Sequence, residues 1–293
     1  MIRINDTKLA KFKLQGMIAS PLGYGWELTH EGRSLSLPSV GGITLNFKVG
    51  DLANRYVADH LEPSVSTVFE HDKRNDRRNV GYNTFSCIGN DATVVSGKAK
   101  GKKGVVTGHH GGVEHVIIDF DDKTLDSLTY DDKIMITAHG LGLEIADIPD
   151  ITLLALDPRL LKKMNLKITK GKLEVPVTRM VPAVVMGSGL GHNFPYQGDY
   201  DIQTSDSETT KEYGLDQLKL GDIVAITDHD SRYGWSYKQG AISIGVIIHG
   251  DSKIAGHGPG CQTIMTCITG NIVPKISSHA NIGYYLGIGR YRR

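Results

Sequence analysis

The chain has 293 residues, of which 40% are hydrophobic and 22% are charged, enough for one large domain or two medium ones with their own cores. It contains 35 glycines but no Gly-X-Y period and no long heptad run, which excludes a collagen and a coiled coil, and its apolar content excludes a disordered chain. With 33 basic and 32 acidic side chains the net charge is +1. A strong field that would attract nucleic acid is therefore absent.

Cysteine usage and hydropathy predict the compartment. The three cysteines are an odd number in a long chain, which is not a disulfide framework and favours a reducing compartment. No apolar run of roughly 18 residues, the length of a membrane span, occurs, and the first residues lack the apolar core of a signal peptide. We therefore expect a cytoplasmic protein with no membrane partner and no nucleic-acid partner.

Short β-branched runs bounded by Gly, Asp or Pro dominate the chain. They predict strands at residues 43–49, 113–120, 133–137, 173–178, 181–186, 222–227 and 241–249. Residues 71–79 are predicted to form a solvated loop. A helix is predicted over residues 156–165, with Asp157 as its N-cap and Pro158 at the first helical position. The apolar run at residues 260–269 fits a buried helix or a strand equally well.

One segment of the sequence occurs twice. Residues 125–139 (LDSLTYDDKIMITAH) align without a gap with residues 215–229 (LDQLKLGDIVAITDH), and both copies end on a histidine, His139 and His229. A duplication would make two related β units, whereas a common turn-and-strand pattern could also arise twice by chance. We predict a mainly β (β-rich α+β) fold of two related β-barrel or sandwich-like units, residues 1–150 and 151–293, with few short helices.

Imidazole and carboxylate side chains cluster after two strands of the second unit. Side chains that follow neighbouring strand ends can reach a common pocket. Histidine and aspartate together are suitable ligands for zinc, manganese or iron, so these residues predict a divalent metal site. The predicted metal ligands are Asp228, His229, His249, Asp251 and His257. The alternative is that they cap backbone N–H groups in turns.

Further residues are predicted to act around this ion. Asp230 would be the general base or an orienting carboxylate, and Tyr233 would position the substrate as the second catalytic residue. The predicted substrate-binding residues are Gly256, Gly258, Gly260 and His192.

A second histidine cluster lies in the first unit, in a Gly-rich hairpin. His109 and His110 are adjacent, so at most one of them faces a site on an extended chain. The corresponding place in the second unit holds His192. A site between the two units would draw on both.

Two stretches carry family resemblances. GDIVAITDHDSRYGWSYKQGAISIGVIIHGDSKIAGHGPG, with VVTGHHGGVEH, resembles an uncharacterised bacterial and archaeal family known only as a domain of unknown function. Residues 198–202 (GDYDI), with Asp199 in place of an asparagine, together with residues 240–241, 249–251 and 256–258, are similar to the acetamidase/formamidase family. This second resemblance implies a β architecture and hydrolysis of C–N bonds.

Three hypotheses for function follow. The first is a metal-assisted hydrolase of a small polar, amide-like molecule. The second is a non-enzymatic protein, either a small-molecule binder or a structural homo-oligomer. The third is an acyl-transfer enzyme whose nucleophile is Cys261, placed at the N-terminus of a helix over residues 260–269; here the alternative is that Cys261 and Cys267 are small buried hydrophobes.

Overall fold

The chain folds mainly into β-strands with a few short helices. A computed structural model gives the structure of residues 2–71 and 75–293. The strands are β1 (Phe12–Ile18), β2 (Glu27–Leu28), β3 (Ser34–Leu35), β4 (Ile43–Thr44), β5 (Ser64–Val68), β6 (Asp91–Val94), β7 (Lys103–His110), β8 (His115–Asp119), β9 (Lys133–Ala138), β10 (Thr152–Leu153), β11 (Lys167–Thr169), β12 (Lys172–Val177), β13 (Arg179–Pro182), β14 (Tyr200–Asp201), β15 (Ile223–Asp230), β16 (Ser236–Ile247), β17 (Gly260–Cys267) and β18 (Ile272–Ile276). The α-helices are α1 (Arg77–Phe85), α2 (Asp122–Leu125), α3 (Pro158–Lys163), α4 (Ser207–Glu212) and α5 (Ile282–Leu286).

Six strands of the N-terminal half close into a barrel. The hydrogen-bonded order is β1–β9–β6–β7–β8–β5, and β5 pairs back onto β1, while β4 extends the sheet beyond β5. Along β9, Ile134, Ile136 and Ala138 are buried and the residues between them are not. This period of two places one face of the strand in the barrel core. Closure also removes the free strand edges on which other chains could pair.

The C-terminal half adds two further sheets. One has the order β10–β17–β16–β15–β13 with β14 paired to β17, and the other is β11–β12–β18. A shared hydrophobic cluster joins the two halves, with Ile88 and Ile117 from the first and Ile244 and Ile264 from the second. Among the described residues, no helix is long and apolar enough to cross a membrane.

The predicted fold class is confirmed: the protein is mostly β, with a closed barrel and few short helices. The predicted helix forms as α3, whose cap Asp157 accepts a hydrogen bond from the Arg159 N–H at 2.6 Å. Residues 260–269 form a strand, β17, buried along its whole length. Because both faces are buried, its sequence shows no alternation.

Three predicted elements differ from the structure. Only Ile43–Thr44 of the first predicted strand pairs: the chain bends at residues 45–46, and beyond the bend the Lys48 N–H is donated to the Asp51 carboxylate. The strand predicted at 181–186 ends at Pro182, where a short 3-10 helix begins. In the predicted loop at 71–79, residues 72–74 lie outside the described part, and α1 begins at Arg77 with Asp76 as its N-cap.

The two copies of the repeated segment form the same turn. Asp132 accepts a hydrogen bond from the Thr129 N–H, and Asp222 accepts one from the Lys219 N–H, each at 2.9 Å. The strands that follow lie in different surroundings. β9 lies between two antiparallel neighbours, whereas β15 is parallel to β13 and antiparallel to β16.

Candidate metal centre

Six imidazole and carboxylate side chains meet beside a cavity of about 240 Å³, and five of them line it. The potential ligand atoms fall into two sets, and within each set they lie within 4.8 Å of one another. We call His110, Asp199 and His249 the inner group, because all three are buried, and His60, Asp201 and His257 the outer group.

The two halves of the chain each contribute to this centre. The barrel supplies His110, the last residue of β7, and His60, which lies just before β5. The C-terminal half supplies the other four side chains. Asp201 lies in β14, where it pairs with Gly260 of β17, and His249 follows the end of β16. The centre therefore exists only when barrel and C-terminal sheet are docked.

Two atoms of the inner group have no hydrogen-bond partner although they are buried. His249 Nε2 and Asp199 Oδ2 lie 3.0 Å apart as an ion pair, but their orientation is not that of a hydrogen bond. The other ends of both side chains are held: His249 Nδ1–H is donated to the Gly250 carbonyl at 2.8 Å, and Asp199 Oδ1 accepts from the Gly111 N–H at 2.9 Å. Unpaired buried polar atoms are costly, and a cation between them would remove that cost.

Absence of a side chain at Gly260 keeps this space open. A Cβ built on Gly260 would overlap both Asp199 Oδ2 and His249 Nε2. Since β14 and β17 pair at Asp201 and Gly260, the register of this pair sets the close approach. Glycine is the residue that allows a backbone to come so near a binding site.

The outer group forms a small triangle of ligand atoms. Asp201 Oδ2 lies 2.9 Å from His257 Nδ1 and 3.3 Å from His60 Nε2, and the two nitrogens are 2.9 Å apart. His60 Nδ1 lies 2.8 Å from Asp59 Oδ2. An ionised carboxylate can only accept, so Nδ1 carries a proton and Nε2 is the ring atom that a metal ion would take in place of a second proton. Metal-binding histidines are commonly oriented by such a carboxylate.

A second orienting carboxylate, Glu62, acts on the inner group as Asp59 acts on His60. Its side chain is fully buried and its Oε1 lies 2.7 Å from His110 Nδ1. His115, paired with His110 across the β7–β8 hairpin, contacts the same carboxylate at 2.9 Å. The Gly41 N–H and the Ser66 hydroxyl donate to it as well. His110 Nε2 is therefore the ring atom left for a ligand.

The carboxylates of the centre stabilise positive charge on its histidines. Burial alone would lower the pKa of His249, but the Asp199 and Asp201 carboxylates outweigh it and raise that pKa well above its usual value. Burial is likewise outweighed at His60, where Asp201 and Asp59 raise the pKa to about 9. Burial would raise the pKa of Asp201, yet the surrounding histidines hold it well below its usual value. A bound cation would supply this charge in place of protons.

Of the five metal ligands predicted from sequence, the structure brings His249 and His257 into the centre. Asp228 is a β-bulge residue with φ 54°, and its carboxylate accepts the Gly240 N–H at 2.7 Å. Because β15 continues to Asp230, Asp228 lies at a bulge within the strand and not beyond the strand end, as the prediction assumed. His229 packs among hydroxyl groups beside Tyr200. The carboxylate of Asp251, the last of the five predicted ligands, accepts hydrogen bonds from the Thr204 hydroxyl and the Lys253 ammonium group.

Of the remaining predicted site residues, the two catalytic ones lie outside the centre and three of the four substrate-binding ones lie beside it. Asp230 is paired with Arg232 at 2.9 Å, and the side chain of Tyr233 is 82% exposed. Of the four predicted substrate-binding residues, His192 lines the cavity and Gly260 backs the inner group. Gly258 contacts the outer group, since its N–H is donated to Asp201 at 3.3 Å.

The prediction missed four members of the centre: His60, His110, Asp199 and Asp201. Two signals for them were present. The Gly-rich hairpin contains His110, but the sequence did not distinguish His110 from the adjacent His109 as the residue that faces the site. The GDYDI stretch at residues 198–202 carried both aspartates. His60 had no motif, because its partners lie far away in the chain.

Cys261 lies in the buried strand β17 and not at the start of a helix. Burial raises the pKa of its thiol, with Asp199 and Asp201 acting in the same direction. That shift is opposite to the one that activates a cysteine nucleophile.

A closed six-stranded barrel docked onto a buried C-terminal sheet, with a histidine and aspartate cluster between them, defines a two-part β protein. The chain belongs to the family described as domain of unknown function DUF4438: the N-terminal family model matches residues 26–162 and the C-terminal one matches residues 163–286. It is similar to the solved structure described as "Crystal structure of TM1086", with 42% identity over 97% of this chain and 99% of that chain and a TM-score of 0.92. No curated protein matches the sequence.

Proposed function

We propose that the protein is a metal-assisted hydrolase of a small polar, amide-like molecule. The observation that supports this most directly is a pair of buried ligand atoms without hydrogen-bond partners, His249 Nε2 and Asp199 Oδ2, which lie 3.0 Å apart beside a cavity. The donor set of imidazoles and carboxylates suits zinc, manganese or iron. An ion there would polarise a substrate carbonyl and lower the pKa of a bound water towards about 7.

The cavity favours a small substrate. Its volume of about 240 Å³ is below the roughly 300–1,000 Å³ of pockets that hold drug-sized ligands. Phe194 and Trp235 form an apolar part of the wall, and Gln197 and His192 add polar groups that could orient a carbonyl or an amide nitrogen. The resemblance of residues 198–202 to acetamidase/formamidase supports C–N bond hydrolysis, because this stretch carries Asp199 and Asp201.

Metal content and turnover, measured on the same purified protein, test the proposal. We expect a transition metal ion by mass spectrometry and hydrolysis of at least one member of a panel of small linear and cyclic amides. His249→Ala should lose the ion and reduce turnover at least 100-fold. His229→Gln and Asp251→Asn are matched controls outside the centre and should keep both. A chain without any tightly bound ion, or equal turnover in His249→Ala, would overturn the proposal.

The non-enzymatic hypothesis has one observation in its favour. Several large apolar side chains around one surface hollow are exposed, namely Leu22, Leu45 at 55% and Val57 at 83%. Exposed apolar side chains in one region favour a contact with another protein surface, and we propose a homo-oligomer as that contact. Its test is the mass in solution: light scattering should show an assembly for the wild type that Val57→Ser weakens, and a monomeric wild type would overturn this proposal.

We also propose that the protein is cytoplasmic and that its ligand is a small molecule. The three cysteines are free and buried, which supports a reducing, cytoplasmic compartment. The balance of charge supports a small-molecule ligand over nucleic acid. Fractionation of cells that express the chain would test the first, and a filter-binding assay with duplex DNA and RNA would test the second.

A further inference from the structure

We propose that the centre holds two divalent ions, one in the inner group and one in the outer group, bridged by the Asp201 carboxylate. This inference rests on the proposed function only in requiring that the centre binds metal. The number of ions, and the division between a buried and an accessible one, go beyond it.

The distribution of ligand atoms favours two ions over one. The six side chains offer their atoms as two sets of three and not as a single set. In the outer group the three atoms lie 2.9–3.3 Å apart. A tetrahedral ion with bonds of about 2.0–2.2 Å separates its ligands by roughly 3.3–3.6 Å, so a slight expansion of this triangle accommodates one ion. The inner group then needs its own.

Asp201 contacts both groups with different oxygens. Its Oδ2 belongs to the outer triangle with His257, and its Oδ1 lies 3.5 Å from His249 Nε2 of the inner group. One carboxylate that presents an oxygen to each of two ions is the arrangement that holds metal pairs about 3.5–4 Å apart. The side chain is buried, and the Gly258 N–H fixes its orientation.

The charges of the side chains around the centre also favour two divalent ions. Four carboxylates surround the ligands: Asp59, Glu62, Asp199 and Asp201. Two divalent ions would neutralise these four negative charges while every histidine of the centre stays neutral, as a ligand must be. With a single divalent ion, two of the four charges would have to be balanced by protons on the remaining histidines, which would then be lost as ligands.

The two sites differ in access. In the inner group His249 is 0% exposed, whereas the side chain of His257 in the outer group is 30% exposed. The inner ligands are therefore the more buried, although His110 and Asp199 also line the cavity, and the outer ion would be the more accessible to solvent. We expect the outer ion to exchange first.

The test uses chelator-treated full-length protein and Mn²⁺ as the probe. Titration should end at two Mn²⁺ per chain, and electron paramagnetic resonance should show the two spins coupled. His257→Ala should bind one Mn²⁺ with an uncoupled signal, while His229→Gln, checked like the others for folding by circular dichroism, should bind two. Gly260→Ala provides a second variant, since its Cβ would fill the inner site and leave the outer one.

The outcomes separate the two proposals. One Mn²⁺ per wild-type chain, or two without spin coupling, overturns the bridged pair even if amides are hydrolysed. Two coupled ions without turnover of any amide uphold the pair and remove the hydrolase. A chain that binds no Mn²⁺ overturns both.

Discussion

Glu62 Oε1 lies 2.7 Å from His110 Nδ1, and the same carboxylate contacts His115, so one fully buried anion holds two histidines of the β7–β8 hairpin. Burial would raise the pKa of Glu62, but His115 and His110 outweigh it and keep the pKa well below its usual value. Glu62 is thus an ionised positioning residue. It makes His110 present Nε2 to the inner group.

Glu62→Gln should weaken metal binding without removing a ligand. An amide keeps the shape but loses the charge that orients His110, and loss of such a partner typically lowers metal affinity about 10–100-fold. Competition with a fluorescent chelator measures the affinity, and circular dichroism checks the fold. Asp157→Asn, a change at another buried carboxylate that caps α3, is the control. Unchanged affinity in a folded Glu62→Gln protein would show that His110 is not a ligand.

Gly260→Ala should abolish binding at the inner group. The added Cβ would overlap Asp199 Oδ2 and His249 Nε2, so these atoms could no longer converge. Gly23→Ala is a suitable control because a Cβ there meets nothing within 4 Å. Mass spectrometry of both purified variants gives the ion content, and equal content in the two would contradict the assignment of the inner group.

Local signals predicted the fold better than the site. The Asp157–Pro158 pair encodes the start of α3 within two residues, and the alternation of β9 is visible along the chain. The helix-or-strand ambiguity at residues 260–269 came from a strand buried on both faces, which has no polar side to mark its period.

The candidate site depends on contacts between distant segments. His60 lies 141 residues from Asp201 and 197 from His257, and no spacing rule links them. His249 and His257 were found because they lie near strand ends, where ligands often occur. Asp228 and His229 obey the same rule, but a bulge at that strand end turns them to other partners. Sequence shows which strand ends carry ligands, and only tertiary packing shows which of them meet.

Removing the metal should lower thermal stability. A ligand that binds only the folded state stabilises it by about 2.7 kcal/mol at 100 times its Kd, which corresponds to a Tm shift of roughly 4–5 °C for a chain of this size. Differential scanning calorimetry with and without a chelator measures the shift, and added Mn²⁺ should restore it. His249→Ala should show a much smaller ion-dependent shift. An identical Tm with and without the chelator would argue against a resident ion.

His229 should make the stability of the metal-free protein depend on pH. Burial lowers the pKa of His229 to about 4, and the nearby Asp230 offsets this only in part. The unfolded chain therefore takes up a proton near pH 6.5 that the folded chain refuses, so the stability falls as the pH drops from about 6.5 to about 4 and levels off below. The full effect is roughly 3 kcal/mol.

His229→Gln should flatten this pH dependence, although not completely, since burial also lowers the pKa of His109 to about 4. Urea unfolding at several pH values between 4 and 7, with chelator present, gives the slope of the free energy of unfolding against pH. The exposed His30→Gln variant controls for loss of a histidine as such. Because the hydroxyl groups around His229 can hydrogen-bond an amide as well as a neutral imidazole, the slope is the diagnostic quantity and not the absolute stability. A slope equal to that of wild type would mean that His229 is protonated in the folded protein at acidic pH.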